Sequence, residues 1–197
     1  MINLQATQKL YECLPIDESG LLPVTPSTQG LYEAPELGIN PLDNWCGHIV
    51  SLQRRKLIFF VHEPTRFPLL LIGVQKADFA ELNYLFIDTL MNTLIKCDAN
   101  EQQLAAAHSL LRPLRFDRQT NRSAQGTLNI MKRDFESMLY YDRVNVMDLS
   151  PSRAAAWLAD RPCSAKGRGY IFPVREMLAL LSKVSVASCD PGHISLQ

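Results

Sequence analysis

The chain has 197 residues, 47% of them hydrophobic, and its twenty basic side chains balance twenty acidic ones. That length and apolar share fit one folded domain with a large core, with or without a small appendage, and exclude disorder of the whole chain. Zero net charge removes the usual reason to expect a dedicated nucleic-acid binder, so attraction for an anion has to come from local clusters.

Such clusters are present. Residues 1–40 carry Lys9 against Glu12, Asp17, Glu18, Glu33 and Glu36, whereas the segment from Arg112 to Arg133 carries Arg112, Arg115, Arg118, Arg122, Lys132 and Arg133 against Asp117 alone. A second basic knot is Arg54-Arg55-Lys56, with Arg66 nearby. The cysteines Cys13, Cys46, Cys97, Cys163 and Cys189 are odd in number and widely spaced, without a Cys-x-x-Cys pair or a secretory leader, which leads us to expect a reducing, cytoplasmic setting. The apolar runs 57–61 and 67–72 are far shorter than the roughly 20 residues a bilayer span needs, so no membrane partner is expected.

In chain order, residues 2–6 read as a short strand and Thr7 as the cap of a turn of helix. From Pro15 to Asp43 five prolines disfavour helix and central strand, and the stretch reads as a long loop or lid. Three apolar runs, 45–52, 57–62 and 67–74, are separated by Arg54-Arg55-Lys56 and Glu63-Pro64-Thr65-Arg66, which predicts an antiparallel meander. Their near-continuous apolar character predicts cover on both faces. Phe79, Leu82, Leu85, Phe86, Leu90, Leu94 and Ile95 fall at helical spacing, and a second helix runs from Glu101 to Leu111.

A short strand at 114–119 precedes the polar segment Thr120 to Asn129, after which Leu128, Met131, Phe135, Met138 and Leu139 mark one face of a further helix. Ser150-Pro151 predicts a helix to about Leu158, and Pro173 begins the last one, with fraying expected from Ser185 onward. The predicted fold class is α+β, an antiparallel meander packed against several helices. Residues 1–145 are the expected core domain, with the proline-rich loop at 15–43, and residues 146–197 a C-terminal helical extension packed on it.

Thr7-x-Lys9-Leu10, Trp45, residues 54–61, Thr65-Arg66-Phe67 and the segment Asn121-Arg122-Ser123-x-x-Gly126-Thr127-Leu128-Asn129 together resemble a family of small uncharacterised bacterial domains. The resemblance spans most of residues 1–145. It implies a bacterial origin and a shared α+β domain, and it implies nothing about catalysis.

The polar segment is the leading site candidate. If it leads into a helix, backbone amides, the hydroxyls of Ser123 and Thr127, and the Arg122 guanidinium converge where a phosphate or carboxylate can bind. Asn121, Gly126 and Asn129 complete that surface, and Arg54, Arg55, Arg66, Arg115 and Arg118 can extend it if they share its face. The plainer reading has Arg122 paired with Asp117 or Asp134, Ser123 or Thr127 as helix caps, and the turn arginines solvated. A site built from Cys46, His48 and His62, with Glu63 on the other strand face, lacks any recognised ligand spacing; a buried neutral cysteine and hydrogen-bonded strand histidines account for the same residues. His108 and His193 read as surface residues, and Lys166-Gly167-Arg168-Gly169-Tyr170 as a loop.

The function expected from these features is a binding or regulatory module, more a binder than an enzyme, whose basic face meets a nucleic acid or a phosphorylated small molecule; no metal or cofactor is expected. One alternative is an enzyme on a small anionic substrate, with Arg122 and Asn129 holding charge, His48 or His62 as the acid or base, and residues 15–43 as a lid. The other is a protein-interaction domain that docks through the proline-rich loop or the last helix.

Overall fold

A computed structural model describes residues 1–33, 35, 38–119, 121–165 and 167–188. The elements in chain order are β1 (Ile2–Ala6), α1 (Gln8–Tyr11), α2 (Gln29–Glu33), β2 (Trp45–Leu52), β3 (Arg55–His62), β4 (Pro68–Ile72), α3 (Leu82–Lys96), α4 (Glu101–Leu110), β5 (Leu114–Asp117), α5 (Arg122–Tyr141), α6 (Pro151–Ala159), β6 (Cys163–Ala165), β7 (Gly169–Ile171) and α7 (Pro173–Ser188). The fold is mixed α and β, as the sequence predicts.

Strands β2, β3 and β4 form the antiparallel meander, with Trp45 opposite His62 and Leu57 opposite Ile72. The five-stranded sheet has the order β4-β3-β2-β1-β5, and β1 runs parallel to both β2 and β5. Residues Leu57 to His62 of β3 are all buried, which the alternation of side chains allows only if both faces are covered. Leu57, Phe59 and Val61 pack with Leu128, Met131 and Phe135 of α5 and Leu158 of α6. On the other face, Ile58 and Phe60 join Phe86, Leu90 and Leu94 of α3, with Met177 and Leu181 of α7. Edge-to-face ring pairs bind each layer to the sheet, Phe59 with Phe135 at 5.7 Å and Phe60 with Phe86 at 5.4 Å.

The proline-rich segment is pinned down rather than poised as a lid. Leu22, Thr28 and Leu42 are buried, Thr25 and Ser27 donate to the Glu81 carboxylate, and Asn40 donates to the Leu110 carbonyl. Arg112, itself buried, donates to the carbonyls of Pro35, Ser109 and Leu111. The apolar residues of this segment belong to the cluster of α3 and α7, on the face of the sheet opposite α5. Sequence alone missed the small hairpin of β6 and β7, around the segment read as a loop. The last helix continues through residues 185–188, where fraying was expected; residues 189–197, including His193, lie outside the described residues.

Gly20 fixes the segment to the sheet. Its φ is +81°, the Phe116 amide donates to its carbonyl, and a Cβ at this position would lie 2.4 Å from the Phe116 carbonyl oxygen. Gly20→Ala is therefore expected to lower unfolding stability by about 2 kcal/mol or more, from backbone strain plus overpacking, in chemical denaturation of the variant against the parent chain.

Candidate functional site

The polar segment is the beginning of a helix rather than a loop ahead of one. Asn121 is the cap: its Oδ1 accepts from the amides of Ser123 and Ala124, so Ser123 to Asn129 already lie in the first two turns of α5. The Thr127 hydroxyl is spent inside the helix, donating to the Ser123 carbonyl. A Cβ on Gly126 would meet nothing within 4 Å, so this glycine stands beside open space. In a helix interior it costs about 1 kcal/mol relative to Ala, and no packing constraint accounts for it.

A groove of about 150 Å³ is lined by Thr7, His48, Gln125, Leu128 and Asn129. Parallel pairing creates it. Ala6 lies opposite Gly47 in the β1–β2 register and the Thr7 amide donates to the Gly47 carbonyl, so the next residues of the two strands, Thr7 and His48, become neighbours. Cys46 and Val50 of β2 pack on α5, and His48, sharing their parity, faces the same helix. Gln125 and Asn129, four residues apart, then stand above one another on it.

Thr7 does not use its hydroxyl as a helix cap, as the sequence suggests; Oγ1 instead lies 3.2 Å from His48 Nδ1. His48 is half-buried, and burial, reinforced by the charges of Lys132 and Lys9, holds its pKa below the usual histidine value. The imidazole is therefore neutral at pH 7, in a positive field. Among the described residues its Nε2 and the side-chain amides of Gln125 and Asn129 have no hydrogen-bond partner, and none of the groove's lining residues is acidic. A larger hollow of about 720 Å³ around Tyr140, Tyr141 and Arg143 lies at the far end of α5, where these three side chains are exposed.

The other predicted site residues disperse. Arg54 and Arg55 are exposed at the β2–β3 turn, at the opposite end of β3 from Arg66, roughly 24 Å away at about 3.4 Å per strand residue. Arg115 donates to Asn3 Oδ1 and Arg118 lies over the Tyr11 ring at 4.5 Å. Arg122 is exposed and has no ion pair among the described residues; Asp134 pairs with Arg161 and Asp117 accepts from the Gln119 amide. Arg66 is buried and donates to Ser123 Oγ. The arginines thus do not form one continuous basic arc.

His48 and His62 do not face each other: His48 is opposite Phe59 and His62 opposite Trp45, on the two different faces of the sheet. His62 Nε2 donates to the Asp43 carbonyl at 3.0 Å, which leaves Nδ1 to accept from the Thr65 hydroxyl at 2.8 Å. Both nitrogens being occupied and the ring fully buried, His62 is a structural residue and not an acid or base for substrate. Cys46 donates to Glu63 Oε1, and burial first, then the Glu63 charge, push its pKa up to about 12, so it is no nucleophile at neutral pH. No cluster of three metal-ligating side chains occurs among the described residues.

Burial holds the His62 pKa down to about 4. A histidine kept neutral in the fold stabilises fully above its unfolded pKa, about 6.5, and that contribution is lost as pH falls toward 4. Stability is expected to drop by on the order of 3 kcal/mol across this window through His62 alone. Denaturant melts at stepped pH check it: the drop should shrink in His62→Gln, and an equal drop in both proteins would contradict the assignment.

No helix of the described residues is long and apolar enough to cross a membrane. No curated protein and no solved structure matched the chain in comparisons with either group. Over residues 3–176 it matches the family described as Domain of unknown function (DUF6933), and the chain belongs to that family.

Proposed function

We propose that the protein is a binding module for a small anionic ligand, held by a phosphate- or carboxylate-sized group in the groove between the β1–α1 turn and α5. The carrying observation is the convergence of the Thr7 hydroxyl, the neutral His48 ring and the unpaired amides of Gln125 and Asn129 in one groove. With the Thr7 hydroxyl donating to Nδ1, the His48 Nε2–H and the two side-chain amides are left to donate to an oxyanion. Lys9 and Lys132, whose charges act on His48, add a positive field, and a space of about 150 Å³ suits one compact group with the remainder of the ligand outside. Dispersal of the arginines favours this over a nucleic acid, which requires a continuous charged track.

The Thr7–His48 contact supports a second reading, a hydrolytic enzyme in which the ring activates the threonine hydroxyl. Such a pair normally has a third group that orients the base, and His48 has none among the described residues. Binding is therefore the preferred function. Loss of phosphate-ester turnover in Thr7→Ala, with turnover retained in Thr7→Ser, would favour the enzyme.

Sulfate, which does not titrate near neutrality, is the probe for the binding reading. The His48 imidazole proton signals in NMR should shift saturably with sulfate, and the His48 pKa should rise in its presence, because a bound anion favours the charged ring. Affinity should accordingly increase from pH 7 to pH 5.5, and Asn129→Ala should weaken it about tenfold, the equivalent of about one lost hydrogen bond to a charged group. A His48 signal that does not respond would overturn the reading. Salt-sensitive binding of single-stranded DNA or RNA, lost when Arg115, Arg118 and Arg122 become Ala, would move the function to nucleic acid.

A further inference from the structure

Arg66 is a permanent cation with almost nothing to neutralise it. It is only 6% exposed, and among the described residues its sole side-chain hydrogen bond runs from Nη2 to Ser123 Oγ at 2.8 Å. Among the described residues its Nε and Nη1 are buried with no hydrogen-bond partner, and none of the ion pairs includes it. A guanidinium cannot shed its proton at any pH a folded protein survives, so the molecule cannot relieve the cost by neutralising the group. Leaving such a charge buried and unpaired costs several kcal/mol.

The backbone adds to that cost. Arg66 has φ +62°, which an L-residue adopts only when its surroundings impose it, and its amide donates to the His62 carbonyl to close the β3–β4 turn. The hydrogen bond to Ser123 brings the guanidinium to the first turn of the 20-residue helix α5, whose N-terminal end carries partial positive charge. Two sources of positive potential therefore meet at one buried point. The Glu63 carboxylate, three residues away in the same turn, accepts from Cys46 Sγ and forms no ion pair with the arginine.

We infer that Arg66, Ser123 and the first turn of α5 form a buried binding site for a compact oxyanion, a tetrahedral phosphate or sulfate or a carboxylate, distinct from the Thr7–His48 groove. The oxyanion accepts from the unpaired guanidinium N–H groups and from the Ser123 hydroxyl, whose own proton has no acceptor among the described residues. Because Nε and Nη1 have no exposed surface, the ion reaches them only when the cover over the β3–β4 turn lifts. Part of that cover is the β6–β7 hairpin, where Arg168 donates to the Pro64 carbonyl and pairs with Glu176. Binding should consequently be slow relative to diffusion.

The test is a sulfate titration of the uniformly nitrogen-15-labelled full chain in a buffer free of other small oxyanions, followed at the Arg66 Nε–H signal. The expected result is a saturable shift of that signal and of the Ser123 amide, in slow exchange, with a midpoint in the low millimolar range or below. Acetate in place of sulfate then distinguishes a carboxylate-accepting site from one restricted to tetrahedral anions, and either response supports the site. Arg66→Met should abolish the response, and Thr7→Ala and Asn129→Ala should leave it intact. The unmodified chain alone can overturn the inference: an Nε–H signal unmoved by 20-fold excess over that midpoint range, by either anion, refutes it.

Discussion

The fold depends on the burial of β3 on both sides. Six consecutive residues of that strand, Leu57 to His62, have no access to solvent, and since neighbouring side chains point in opposite directions, two separate layers must be present at once. Helices α5 and α6 supply one layer, and α3 and α7, with the proline-rich segment, supply the other. Neither layer is optional, because an uncovered strand of Leu, Ile, Phe and Val would leave several hundred square ångströms of apolar surface in water, at about 25 cal/mol for each. The site inherits its position from this arrangement. Helix α5 lies over β2 and β3 to cover Phe59 and Val61, and in doing so it brings Gln125 and Asn129 alongside His48 and Ser123 alongside Arg66.

The meander was legible in the sequence because its strands are apolar runs of ordinary strand length interrupted by charged turns, α3 because its apolar residues recur at helical spacing, and α6 because Ser150-Pro151 marks its start. The parallel partners of β1 were not legible: a parallel pair leaves no turn signature, and nothing local says that Ile2–Ala6 lies between β2 and β5. The start of α5 was misplaced for a related reason. Its first two turns present few apolar residues, Ala124, Thr127 and Leu128 being the ones that are buried, so polar composition concealed a helix that the Asn121 cap defines. The strands β6 and β7 are three residues each, too short to show alternation.

For the site, the individual residues were visible and their grouping was not. Thr7, His48, Asn129 and Arg66 can each be singled out from type and neighbours, yet the pairing of Thr7 with His48 across forty-one positions follows from the parallel register alone. Gln125 carries no signal until the helix start is known, after which its spacing from Asn129 follows. Charge clustering misled in the opposite direction: Arg54 and Arg55 look close to Arg66 in sequence, but an eight-residue strand separates them by its full length. Two histidines on adjacent strands likewise suggested a pair, until the register put them on different faces.

The contact of the proline-rich segment with β5 has a further consequence. Strand β5 is an outer strand, and Phe116 would present its amide as an unpaired donor there if the Gly20 carbonyl did not accept from it; Leu21 bridges Arg115 beside it. The chain thereby caps its own sheet margin with a stretch whose prolines cannot donate hydrogen bonds in turn. A second molecule approaching this side meets backbone groups already taken up by the segment that reads in sequence as a long loop or lid, so this margin offers little for strand-to-strand association.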